Sequence, residues 1–161
     1  MDFMVLDIKY LQEFSEAFFE ENELADCYFV DAKIQGSRVE VFIDKDGGIS
    51  FDTCKKLSRK IEAVLDESKV IGEAYTLEVS SPGIGTPLKM PRQYINNINR
   101  DIEVETINSK LKGKLIFADE SVVKVELEET VLEGKKKKKI LVAHEVSYSD
   151  IKVAKIKVSF K

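Results

Sequence analysis

Near the start of the chain, apolar residues recur every three or four positions: Ile8, Leu11, Phe14 and Phe18, between Leu6 and Glu21. That spacing predicts an amphipathic helix. From Cys27 to Ile34 the period drops to two, through Cys27, Phe29 and, after a break at Asp31, Ala32 and Ile34. Gln35-Gly36-Ser37 reads as a turn, and Val39, Val41 and Ile43 resume the alternation, so the pair predicts an antiparallel hairpin. Asp44-Lys45-Asp46-Gly47-Gly48 ends that pattern. Ser50 then offers an N-cap, with Asp52 well placed in a first helical turn. The helix it opens carries Cys54, Leu57, Ile61, Val64 and Leu65 on one face and Lys55, Lys56, Arg59, Lys60 and Glu62 on the other. Tyr75 to Val79 predicts a third strand. The resulting order, α-β-β-α-β, resembles that of KH-like folds.

Ser80-Ser81-Pro82-Gly83 reads as a boundary between domains at 1–82 and 83–161. Proline fixes φ and glycine permits positive φ, so Pro82-Gly83 suits a tight turn. Pro87 and Pro91 exclude a long helix afterwards, but a short one starting at Pro91 and running through Arg92 to Ile98 is compatible. Beyond it the period is two: Ile102, Val104 and Thr106; Leu111, Leu115 and Phe117 around Gly113; Val123, Val125 and Leu127; Ile140 and Val142; Ile151, Val153, Ile156 and Val158. Five short strands predict a small closed β-barrel, because closure removes exposed edges. Gly134 with Lys135 to Lys139 predicts a hairpin loop. The fold class is α+β.

Composition adds limits. At 161 residues, 43% hydrophobic and 34% charged, the chain holds enough apolar side chains for one medium or two small cores. No run approaches the roughly 18 to 20 apolar residues that span a bilayer. Met1-Asp2-Phe3-Met4 lacks the basic start of a signal peptide. Cys27 and Cys54 make no disulfide framework and lie on apolar faces, so burial is expected of both. A cytoplasmic protein is the expectation. The formal charge of −4 conceals an asymmetry: residues 1–82 carry 9 basic and 18 acidic side chains, residues 83–161 carry 16 and 11. The acidic half suits a basic protein and repels phosphate, whereas the basic half tolerates it.

The motifs along the chain mainly exclude chemistry. Asp44 to Gly48 starts like a calcium loop, but Gly48, Ile49 and Lys55 stand where an EF-hand needs an acid or amide, a glycine and a glutamate. A strand-to-helix turn is expected there instead. Gly83-Ile84-Gly85 opens no dinucleotide fingerprint, since Pro87 falls at the helix start and Leu88 replaces the third glycine. There is no phosphate loop, and Ser80 and Ser81 lack the frame of a nucleophile elbow. His144 is the only histidine, which excludes a two-histidine metal site within one chain; beside Val142 and Ala143 it reads as an exposed or hydrogen-bonded strand-end residue. Glu20-Glu21 and Glu128-Glu129 read as solvated surfaces. No catalytic residue, metal or cofactor is expected. Binding has better candidates. Lys135, Lys136, Lys137, Lys138 and Lys139 could clamp phosphates from a loop or simply keep a hairpin tip soluble. Tyr148 and Phe160 are weak candidates for base stacking, without an RNP pattern. The G-x-x-G clamp of KH folds is absent, so protein binding suits the first half.

Val41 to Ser50, followed by Cys54 and Leu57-Ser58-Arg59, resembles the middle of the ribosome maturation factor RimP family. Tyr75 to Gly83, with Pro87-Leu88, is similar to that family's most specific signature, and Ile151 to Lys155 to its closing strand. Many members carry Leu-Asp-Arg where Ile84-Gly85-Thr86 stands here, so no charge pair carries over at those positions. The resemblance implies an α/β domain followed by an SH3-like or Sm-like barrel. It also implies a non-catalytic factor that binds the immature small ribosomal subunit and assists late assembly, especially placement of the ribosomal protein numbered twelve; the chain itself is expected to be a monomer. Partners would be that basic protein and the RNA around it, and no membrane. The signature residues Ser80, Ser81, Pro82 and Gly83 either end a strand and set the domain angle or form part of a docking surface. The other reading of the chain is a general RNA-binding module, which would bind unrelated RNAs equally well.

Overall fold

The computed structural model describes residues 5–83 and 85–157. The readings that fell on Met1 to Met4, Ile84, Val158 and Phe160 lie outside the described residues. The chain divides into two compact units, Met1–Pro82 and Gly83–Lys161.

In the first unit, α1 (Ile8–Glu21) starts at Asp7, whose carboxylate accepts the Tyr10 N–H at 2.7 Å. It buries Leu11, Ser15, Phe18 and Phe19. Ile8 is 46% exposed, so the first turn does not contribute the contact its spacing predicted. Ser15 tolerates burial because its hydroxyl donates to the Leu11 carbonyl at 2.7 Å. Strands β1 (Cys27–Gln35) and β2 (Arg38–Lys45) pair antiparallel, and the break at Asp31 is a bulge between Phe29 and Asp31. Helix α2 (Phe51–Ser68) is capped by Ser50, whose hydroxyl accepts the Thr53 N–H at 3.3 Å. It then leads to β3 (Thr76–Ser80), which lies parallel to β2 with Val39 beside Leu77 and Val41 beside Val79. A parallel neighbour needs a crossover, and α2 supplies it. Leu11, Val39, Val41, Ile43, Leu57 and Leu65, all at 0% exposure, form the centre of one core shared by both helices and the sheet.

The second unit begins irregularly and enters the short helix α3 (Pro91–Ile95). This helix stops before Ile98, where the sequence placed its end. Asn97 bonds the Gln93 carbonyl through its side chain at 2.6 Å, and Asn99 takes a positive φ of 81°. Then come β4 (Asp101–Thr106), β5 (Lys110–Ala118), β6 (Val122–Glu133), β7 (Lys136–Ser147), a single 3-10 turn, and β8 (Ile151–Ile156). They form one antiparallel sheet ordered β7-β6-β5-β4-β8, and among the described residues no β7–β8 ladder closes it into the barrel the strand pattern predicted. Register irregularities at Leu115/Phe117 and Glu105/Thr106 are the kind that bend a sheet. Ile102, Val104, Leu115, Val123, Val125 and Ala154 belong to one buried hydrophobic cluster, which also includes Tyr94 of α3.

Candidate functional site

The lysine run does not occupy a loop. Strand β6 ends at Glu133 and β7 begins at Lys136, leaving only Gly134 and Lys135 between them. Gly134 has φ 66°, as the first position of a two-residue hairpin turn requires. Lys136, Lys137, Lys138 and Lys139 therefore lie on the strand, opposite Glu133, Leu132, Val131 and Thr130. Four lysines in sequence show no alternation. The register is imposed from β6, whose Val123, Val125 and Leu127 can face only one way, and from the tight turn.

Pairing with β5 reaches only Glu126, while the β6–β7 ladder continues from Leu127–Val142 to Glu133–Lys136. Among the described residues this far end is thus a two-stranded ribbon. Lys136 and Lys138 project on one face with Glu129, Val131 and Glu133; Lys137 and Lys139 project on the other with Glu128, Thr130 and Leu132. Lys138 pairs with Glu133 at 3.9 Å and Lys139 with Glu128 at 3.5 Å. Lys135, Lys136 and Lys137 have no carboxylate partner among the described residues and stand exposed. The ribbon is a basic arm with exposed leucines: Leu132 is 74% and Leu141 66% accessible. His144 sits in mid-strand rather than at a strand end, half-buried, 2.8 Å from a Glu129 oxygen. Glu128 and Glu129 point to opposite faces and have different partners, so they cannot act as a carboxylate pair.

The Ser80-to-Gly83 signature closes β3, with Ser80 paired to Phe42. The left-handed glycine is not Gly83 but Gly85, at φ 90°. The Gly83 carbonyl accepts the Thr86 N–H at 3.1 Å, and Gly85 before it takes the positive φ that glycine adopts without strain. After it, the Leu88 N–H donates to the Ala154 carbonyl at 2.8 Å and lays the chain along β8. Pro87, Pro91, Tyr94, Tyr148 and Ile151 line a cavity of about 170 Å³ beside it.

Tyr148 is not offered to a base. Its ring meets Tyr94 edge-on at 5.0 Å and its hydroxyl donates to the Asp119 carbonyl at 2.7 Å. Burial, first among the causes, pushes both phenols up to about 12. Gln93, not among the candidates above, is 3% exposed and accepts the Lys89 and Met90 N–H groups at 2.7 and 3.2 Å, holding the start of α3. Its signal was available: a glutamine two residues after a proline that opens a helix.

Cys27 and Cys54 are both buried, and burial pushes the Cys54 thiol up. Among the described residues no three His, Cys, Asp or Glu side chains gather as metal ligands do. No described helix is long and apolar enough to cross a membrane. The surface carries an acidic α1, exposing Glu13, Glu16, Glu20 and Glu21, and a basic β6–β7 arm.

Comparison with known proteins covers nearly the whole chain. Residues 15–85 match the RimP N-terminal domain. The sequence is 35% identical over 152 residues to the ribosome maturation factor RimP of Christiangramia forsetii, spanning 93% of this chain and 97% of that protein.

Proposed function

The chain belongs to the ribosome maturation factor RimP family, and from that premise we propose that it binds the immature small ribosomal subunit in the cytoplasm and assists its late assembly without catalysing a reaction. The match along nearly the full length of a named maturation factor carries this reading. The two units are taken as a KH-like domain and an SH3-like barrel, domains of 1–82 and 83–161. The element order of the first and the strand order β7-β6-β5-β4-β8 of the second support those labels.

Charge suggests how the work divides. The exposed glutamates of α1 suit a basic ribosomal protein, and the lysines of the arm suit ribosomal RNA. Ser80, Ser81, Pro82 and Gly83 add a docking edge where β3 ends. A monomer acting transiently needs only a modest interface, on the order of 800 Å² per partner or less.

Co-sedimentation tests the reading. The chain should pellet with free small subunits and not with complete ribosomes. Replacing Lys135 to Lys139 with serine should weaken that binding and flatten its salt dependence by about one slope unit per lost phosphate contact. The basic arm also favours a second reading, a general RNA-binding module. Equal affinity for small subunits, complete ribosomes and unrelated RNAs would establish that reading instead.

A further inference from the structure

The first unit is acidic as a whole, yet four of its nine cations lie within six residues of α2: Lys55, Lys56, Arg59 and Lys60. All four are exposed. Only Lys56 has an acidic partner, Asp52 at 3.2 Å; among the described residues Lys55, Arg59 and Lys60 have none. One turn before Lys55 stands Phe51, 83% exposed, an aromatic side chain left in water at the head of the same stripe.

This arrangement does not serve the helix. Lys55 with Arg59, and Lys56 with Lys60, are like-charge pairs four residues apart, and such pairs oppose helix formation. Asp66 and Glu67 sit in the last turn, where the helix dipole disfavours negative charge. Nor does it serve the core, which takes the opposite face: Cys54, Leu57, Ile61 and Leu65. With that apolar face already buried, Phe51 alone remains to enter a lipid surface, too little for a membrane-bound helix. Cations a turn apart, about 6 Å along the axis, can track a chain of phosphates, and an exposed ring beside them can stack on a base. An acidic peptide would use the cations but leave the phenyl ring without a role.

We propose that Phe51, Lys55, Lys56, Arg59 and Lys60 form an RNA contact on the acidic unit, taking a short single strand with its phosphates on the cations and one base on Phe51. This pairing of a basic track with an aromatic platform is how sequence-tolerant single-strand binding works. The site lies on a different element from the lysine arm and does not depend on the role in assembly.

The test uses the full chain with the arm lysines changed to serine, so that binding through the arm is removed, and a labelled single-stranded RNA of about ten nucleotides. Lys55→Gln, Lys56→Gln, Arg59→Gln and Lys60→Gln together, which keep good helix formers at each position, should lower the salt slope of binding by about three. Phe51→Ala should weaken binding roughly five- to a hundred-fold and leave the slope unchanged. In the unmutated chain, bound RNA should slow acetylation of Lys55, Lys56 and Lys60 but not of exposed Lys9 on α1. Unchanged RNA affinity in both variants, no protection of those lysines, or preferential binding of a polyglutamate peptide over the RNA would overturn the proposal. Each of these outcomes is separate from whether the chain sediments with small subunits.

Discussion

A methyl group at Gly113 would run into the backbone carbonyl of Glu126 and approach Val125 Cγ1 at 3.1 Å. This glycine is therefore required for space rather than for a special φ, at the point where β5 begins to pair with β6. Gly113→Ala should cost about 3 kcal/mol, as overpacking in a tight contact does, and thermal unfolding checks it; a variant melting like the parent would show that the strands can separate cheaply. In the sequence Gly113 was only a gap in an alternating pattern, because the approach of two backbones distant along the chain has no local signal. Asp119 makes a second residue-scale prediction. Its carboxylate accepts the Ser121 and Val122 N–H groups, both at 2.8 Å, and these bonds, that to Val122 first, hold it below the usual carboxylate range. A depressed folded value means the stabilisation is present above the ordinary carboxylate pKa and lost as pH falls through the lower one. The gap in Tm between the parent and Asp119→Asn should thus be widest at about pH 6 and close towards about pH 2.

At the scale of elements, what could be read from the sequence followed how much of each side-chain pattern the core uses. The buried face of α2 was legible almost residue by residue, because Cys54, Leu57, Ile61 and Leu65 repeat at helical spacing and all reach the core. Leu57→Asp or Ile61→Asp would bury an unpaired charge there, beyond the few kcal/mol a small unit can lose. Either should leave the first unit without a cooperative melt in circular dichroism, and a retained melt would mean the face is less enclosed than its 0% and 2% exposures imply. The far end of the β6–β7 hairpin was not legible. Lysine is a poor strand former and a run of it carries no period, so the ladder depends on β6 and the Gly134 turn. Of the candidate site, the lysine residues were found but their geometry was not, and the basic stripe of α2 was noted only as the helix's outer face. A stripe is visible in sequence, whereas the lack of a partner for it is visible only in the fold.

At the scale of the molecule, the charge split at Pro82 coincides with the limit between the two compact units. Each has a hydrophobic cluster of its own, the first around Leu57 and Val41, the second around Val104 and Leu115. Residues 1–82 and 83–161, expressed apart, should each unfold cooperatively, and the full chain should show the sum of those transitions. A second half that melts only in the presence of the first would refute independent folding. The two cysteines give the chain a way to report on this. Both lie in the core of the first unit, and the second unit has none. A thiol reagent added to the intact chain would be consumed only as fast as the first unit opens, whatever the second is doing. The chain therefore carries its own clock, keeping time for one of its halves alone.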